Sequence, residues 1–432
     1  VSFLSPKIAR WVAADARVLD GPGPRDAQGF ARVDLLVDEG RIAALAPAGA
    51  QDFGEAPRLP LAGRLALPCF VDAHTHLDKG HIWRRAPNPN GDFPSAIQAV
   101  MDDRAAHWDA PDVAARMEFG LRCAYAQGTR AVRTHLDSVG GQSRVSFPVF
   151  AEARARWQGR IDLQASPLFG VDFTFEPGHL ETVTEMVEKH GSRLLGAVTY
   201  MIPGLREALD ALFDLAERRG WDLDFHVDET ADPEVRSLEV IAEVALERKF
   251  AGHILVGHCC SLARQDDSTQ ERIIEKVARA RLNVVSLPMC NLFLQDRRAD
   301  RTPRWRGVTA LHELRAAGVE VMIASDNTRD PFYAYGDLDM MEVWREGVRI
   351  LHLDYPHAKW AEVVNAAPAR ALGVVVPRLA VGEAADFILT QARDFTELLS
   401  RPQSDRIVVR AGAALRETPP PYSDLDMLEG LG

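Results

Sequence analysis

The stretch FVDAHTHLDKGH, running from Phe70 to His81, places three histidines and two aspartates in twelve residues directly after an apolar run. Alternate side chains of a strand share a face, so His74 and His76 would project together with Thr75 opposite. Two imidazoles brought to one point suit a metal ion. The same spacing also suits a polar strand end whose imidazoles bond to backbone.

Further along, HVDE supplies His226 and Glu229, GHC supplies His258, and IASD supplies Asp326. Each closes an apolar run, as His74 and His76 do. Three imidazoles and a carboxylate suit Zn²⁺ or Fe²⁺, and such an ion lowers the pKa of water toward neutrality. Glu229 follows His226 by three residues, which sets it on the turn beyond the strand as a proton shuttle. His258 is expected to stabilise the attacking hydroxide or polarise the substrate. Asp326 is expected to bind the metal and accept a hydrogen bond from the water. His135, in RTHLDS, is a pocket candidate and equally a satisfied structural histidine. Asp78 and Asp137 are expected to orient backbone or imidazoles. His81 reads as pocket rim or loop, Cys259 and Cys260 as small core residues, and the arginines between Arg297 and Arg306 as a solvated loop.

These groups meet only if separate strands end on one rim. Eight apolar runs alternate with amphipathic stretches: 66–76, 129–137, 162–170, 194–201, 222–229, 254–259, 282–288 and 320–326. That alternation is the pattern of parallel α/β folds. Eight strands predict a (β/α)8 TIM barrel, whose functional residues sit at the C-terminal strand ends. The competitor is an open doubly wound sheet, but no G-x-G-x-x-G follows the first run. Helices are expected over 204–220, 231–249, 338–351 and 359–372. Residues 1–65 alternate like short strands, with a hairpin turning at Glu39-Gly40, and strand-like runs return at 381–390 and 405–415. The expected organisation is a small β-domain from both chain ends, 1–65 and 375–432, around a barrel at 66–374.

Bulk composition narrows the function. The chain has 432 residues, 47% hydrophobic and 26% charged, with a formal net charge of −12. That charge disfavours a polynucleotide partner. No apolar run reaches membrane-spanning length, and no charged-then-apolar leader is evident. Five scattered cysteines without a C-x-x-C pair read as reduced thiols of a cytoplasmic protein. A small-molecule substrate and a homo-oligomer are expected.

Together the residues resemble the amidohydrolase superfamily, and within it the cytosine deaminase branch. The match includes His74-x-His76, RTHLD, HVDE, GHC and SDNTRDPFYAYGDLDM, and the NLFLQDRRADRTPRWRGV segment is similar to that branch as well. The resemblance implies a (β/α)8 barrel with a small β-domain and one divalent metal held by His74, His76, His226 and Asp326. It implies that Glu229 carries a proton to a ring nitrogen and that His258 assists the attack. Binuclear relatives carry a bridging lysine after the fourth strand, where this chain reads AVTYMIPG, so a single zinc or iron ion is implied.

The substrate-reading positions depart from that branch. Leu168 stands where a pyrimidine-reading Gln is usual. Asn327 replaces an Asp, Phe332 a Trp and Phe293 a His. A site that reads a ring by hydrogen bonds discriminates through those polar groups. The expectation is therefore a hydrolytic deaminase of an aminated nitrogen heterocycle other than cytosine, such as a pterin or an alkylamino-triazine. Hydrolysis of a substituted amine or cyclic amide on a triazine or pyrimidine ring is the alternative reaction. A non-catalytic scaffold is the alternative of another class.

Overall fold

A computed structural model of the chain describes residues 9–428. The ends of the two expected β-segments, 1–8 and 429–432, lie outside the described residues. The strands in chain order are β1 Arg10–Val18, β2 Ala31–Asp38, β3 Arg41–Pro47, β4 Arg58–Pro60, β5 Ala66–Pro68, β6 Phe70–Thr75, β7 Thr129–Asp137 and β8 Asp162–Leu168. They continue with β9 Leu194–Thr199, β10 Asp222–Val227, β11 Ile254–His258, β12 Asn283–Ser286, β13 Val321–Ile323, β14 Phe387–Leu389, β15 Ile407–Arg410 and β16 Ala413–Ala414.

Strands β6 to β13 are the barrel. β6, β7 and β8 form one parallel sheet and β9 to β13 another. Parallel bridges Thr75–Asp326 and Gly170–Val198 join the two sheets at both seams. The Asp326 N–H donates to the His74 carbonyl at 2.8 Å, so the seam that closes the ring also registers two expected metal ligands. All eight expected runs are barrel strands, with one boundary moved. Ala66–Pro68 pairs with β14 in the small sheet β16-β15-β14-β5, and the barrel strand begins at Phe70. Pro68 has no N–H to continue a ladder, which suits a break there. On this pairing we propose that the barrel segment starts at Cys69.

The other small sheet has the order β3-β2-β1-β4. The expected hairpin turns at Glu39 and Gly40, with φ of 48° and 77°, the left-handed pair that a two-residue turn requires. Trp11, Val33, Leu35 and Ile42 from the N-terminal part pack with Leu379, Phe387, Leu389 and Val409 from the C-terminal part in one core. Each part alone would leave this apolar face in water.

Outside the barrel, helix Leu205–Arg219 buries Leu205, Ala208, Leu209, Leu212, Phe213 and Ala216, the stripe of a 3.6-residue period. Gly220 ends it at φ 62°. Two expected helices are shorter or broken. The one expected over 231–249 spans only Ser237–Arg248. Pro233 precedes it, and the Asp228 carboxylate accepts from Ser237 and Leu238 N–H, both at 3.0 Å, as a remote cap. The one expected over 359–372 is interrupted at Asn365, whose side chain caps a separate helix Ala366–Leu372. Among the described residues no helix is long and apolar enough to cross a membrane.

Candidate active site

The C-terminal strand ends deliver the expected residues to one basin. His74 comes from β6 and His76 lies one residue past it. His226 comes from β10, His258 from β11, and Asp326 follows β13. Several of these ends adopt backbone that non-glycine residues rarely take: φ is 49° at Asp228, 67° at His258, 50° at Cys259 and 63° at Asp326. Each such residue costs about 1–3 kcal/mol, and His258 and Asp326 among them belong to the basin.

His76 Nε2 lies 3.1 Å and His74 Nε2 3.4 Å from Asp326 Oδ1. His226 Nε2 lies 3.3 Å from His76 Nε2. Donors at tetrahedral angles in a ~2.0–2.2 Å shell stand roughly 3.3–3.6 Å apart, so these separations match a ligand set. The four residues are almost wholly buried. Yet both ring nitrogens of His74 and both oxygens of Asp326 lack hydrogen-bond partners among the described residues, and the Nε2 atoms of His76 and His226 face each other. Buried polar atoms are nearly always paired, so this concentration fits a divalent cation. Burial holds His74, His76 and His226 well below the ordinary imidazole pKa, leaving neutral rings with lone pairs for a metal. Burial opposes ionisation of Asp326, but the neighbouring His76 and His258 outweigh it and hold its pKa at about 2.

Beside this cluster lies a hydrogen-bonded trio. Asn291, on helix Pro288–Leu294, sets its Nδ2 3.0 Å from Glu229 Oε1 and 2.9 Å from His258 Nδ1. His258 Nδ1 is 3.3 Å from Glu229 Oε1. Burial lowers the His258 pKa, but the neighbouring Glu229 carboxylate raises it further than burial lowers it. His258 Nε2 has no partner among the described residues.

His135 is fully buried against the cluster, with ring centroids 4.1 Å from His74 and 4.6 Å from His226. Its Nε2 is 3.0 Å from Asp224 Oδ1, and Arg133 Nη1 donates to Asp224 Oδ2 at 2.9 Å. His135 joins His74, His76 and His226 as a group whose nitrogens lie within 4.8 Å of one another, so it is a possible additional donor. Asn327 is spent on its own loop, donating to Asp330 Oδ2 at 2.7 Å, with the Cys290 thiol 3.6 Å from its Oδ1. Leu168 is buried opposite Asp137 at the β7–β8 edge. Phe332 packs on Phe93 with centroids 5.4 Å apart. Phe293 lies against Tyr333 and Tyr335, under the Arg297 guanidinium. Asp78 accepts from Asp137 N–H and Ser146 Oγ, both at 2.9 Å, in the orienting role expected of it.

Sequence reasoning passed over Asn291, Asp224, Lys79 and Asp72. Asp72 accepts from Ser325 Oγ at 2.6 Å and Ser325 N at 3.1 Å, which ties β6 to the segment carrying Asp326. Burial raises the Asp72 pKa to about 7. The available signals were buried polar residues at in-facing positions of apolar strands, and an asparagine in the short NLFLQ helix.

Residues 187–416 match the amidohydrolase family. The chain is 49% identical to a pterin deaminase of Rhizobium rhizogenes, across 99% of both chains. It is 26% identical to the N-isopropylammelide isopropyl amidohydrolase of Pseudomonas sp. strain ADP, over 65% of this chain and 67% of that one. The structure of a Klebsiella pneumoniae 5-methylcytosine deaminase liganded with phosphonocytosine superposes with a TM-score of 0.82 at 26% identity. It covers 94% of this chain and 98% of that one. This chain belongs to the amidohydrolase family.

Proposed function

We propose that this chain removes the exocyclic amino group of a 2-amino-4-oxopteridine, a pterin, by hydrolysis. The chain is a hydrolytic deaminase of a nitrogen heterocycle. The pterin assignment rests on the full-length similarity to the Rhizobium rhizogenes pterin deaminase. The observation that carries the chemistry is the group of unpaired donors on His74, His76, His226 and Asp326 beside the Glu229–Asn291–His258 relay. In this reading those four residues hold one zinc or iron ion, which supplies Lewis acidity and lowers the pKa of the attacking water.

The chain's own groups handle the protons. Glu229 takes a proton as the water oxygen adds to the ring carbon bearing the amine, and delivers it to the adjacent ring nitrogen. His258 donates from Nε2 to the added oxygen as charge develops there. Glu229 then passes the remaining hydroxyl proton to the amine. The carbon–nitrogen bond breaks, ammonia leaves, and an oxo group remains on the ring. Leu168 cannot hydrogen-bond a pyrimidine edge, and Phe332 and Phe293 offer apolar walls suited to a bicyclic ring. All five cysteines are buried free thiols, which supports a cytoplasmic enzyme.

Steady-state ammonia release from pterin, cytosine and an alkylamino-triazine tests the reading. Pterin should exceed cytosine in kcat/KM by on the order of 10²-fold, because its second ring buries roughly 100 Å² more surface against Phe332 and Phe293 at about 25 cal/mol per Å². Chelation should abolish turnover, and zinc or iron should restore it. A chain that deaminates cytosine efficiently and pterin poorly, or that releases only alkylamine, would overturn the assignment.

A further inference from the structure

Lys79 is only 5% exposed, and its ammonium makes no hydrogen bond among the described residues. The nearest carboxylate oxygen, Asp137 Oδ1, is 4.0 Å away. The other Asp137 oxygen accepts from Arg104 Nη1 at 2.9 Å. An ammonium has three donors, so this one has bonds left to offer a ligand. The ammonium also lies over the Phe332 ring, with the centroid 4.7 Å from Nζ. Neither contact satisfies an N–H.

The placement is rigid. Gly80 N–H returns to the His76 carbonyl at 3.0 Å, so the chain doubles back directly after the expected ligands. His81 and Trp83 N–H donate to the Thr328 and Arg329 carbonyls at 3.0 and 2.8 Å, and the Arg116 guanidinium clasps the Asp78 carbonyl. On the facing side, Asp330 accepts from the N–H of Phe332 at 2.8 Å and of Tyr333 at 3.2 Å. Both the ammonium and the ring beneath it are therefore held by backbone bonds. The positive charge of Lys79 also bears on His74, His76 and His258, so it shares the basin of the ligands. It flanks Asp137, which lies opposite Leu168 on the neighbouring strand.

We propose that Lys79 is the specificity-determining residue of this site: its ammonium donates to a ring oxo group of the substrate while Phe332 stacks on the ring, selecting amino-oxo heterocycles over amino heterocycles that lack the oxo acceptor. The proposal rests on the deaminase reading and adds the group that reads the ring. A conjugated amide-type oxygen carries partial negative charge and accepts a charge-assisted bond, which neither Leu168 nor Phe332 can supply.

The test compares Lys79→Met and Lys79→Arg with the unaltered enzyme on two substrates, 2-amino-4-oxopteridine and 2-aminopteridine. Metal content and Tm are recorded for each protein. The unaltered enzyme should prefer the oxo substrate. Lys79→Met should lower kcat/KM on it by about 10- to 10²-fold and leave 2-aminopteridine within about threefold, and Lys79→Arg should restore part of the loss. Equal losses on both substrates, or a lower Tm without a change in preference, would assign Lys79 to neutralising Asp137 and overturn the proposal. A second measurement needs no turnover: calorimetric binding of 2,4-dioxopteridine should weaken by at least tenfold in Lys79→Met. Lysine-dependent binding without ammonia release would sink the deaminase reading and keep this one. Ammonia release with lysine-independent preference and binding would do the reverse.

Discussion

Replacing Asn291 by leucine tests whether the relay beside the ligands is a catalytic arrangement or packing. An amide nitrogen carries two hydrogens. With Nδ2 at 3.0 Å from Glu229 Oε1 and 2.9 Å from His258 Nδ1, one hydrogen goes to each. His258 Nδ1 is then an acceptor, and its proton sits on Nε2, the nitrogen free to face the reacting oxygen. Leucine keeps the volume and removes both bonds. His258 Nδ1 and Glu229 Oε1, already 3.3 Å apart, would pair directly, tying up the acceptor that Glu229 needs. A hydrogen bond to a charged group is worth about 1.5–3 kcal/mol and a neutral one about 0.5–1.5. Their sum, about 2–4.5 kcal/mol, corresponds to a fall in kcat between about 30-fold and about 2,000-fold at tenfold per 1.36 kcal/mol. The assay is steady-state ammonia release from pterin with metal quantified in the same samples, since Asn291 touches no expected ligand. A variant with full metal and kcat within threefold of the original would refute the tautomer argument and reduce the relay to packing.

Three other outcomes follow from the same geometry. Glu229→Gln keeps the shape but cannot accept a proton, so kcat should fall by on the order of 10²-fold or more with metal content unchanged; normal turnover would require another base. Gly257→Ala would place a Cβ 3.0 Å from His74 Cε1 and 3.1 Å from its Nδ1, pushing the imidazole off its position. Metal affinity should weaken by about tenfold or more, read by competition with a chelating dye, while an unchanged affinity would show that His74 is not held against β11. Asp337 is pushed by burial from 3.8 to about 6, with a Cys123 thiol contact as a minor opposing influence. A carboxyl whose folded pKa is raised contributes stability fully present below pH 3.8 and lost as pH rises through about 6. Asp337→Asn, which never ionises, should therefore raise stability at pH 8 by about 1–2 kcal/mol after discounting for partial exposure. It should leave Tm at pH 4 nearly unchanged, and a gain of equal size at both pH values would point to packing instead.

The barrel and the strand ends that gather the His/Asp cluster were legible because both are local patterns. An apolar run with its polar residues at the end reads the same whether or not its neighbours are known, and His74, His76, His226, His258 and Asp326 all sit at such ends. The small β-domain was legible from alternation alone, although β5 joined it where the sequence joined that run to the barrel, because a three-residue strand carries no period of its own. The supporting polar residues were not legible, and chain separation is the physical reason. Asn291 meets Glu229 across 62 residues, His135 meets Asp224 across 89, and Ser325 meets Asp72 across 253. Those partnerships exist only once the ring closes, so no window of sequence contains both members. Lys79 shows the same limit inside the most informative stretch of the chain. In FVDAHTHLDKGH no spacing sets it apart, and the bonds from Gly80 to His76 and from His81 to Thr328 accompany its turn inward over Phe332. The hydrolytic groups are thus written in local spacing, while the groups that orient them and read the ring are written in the closure of the barrel. Substitutions at the second kind of position can therefore change which ring is accepted while every motif of the hydrolytic site stays intact.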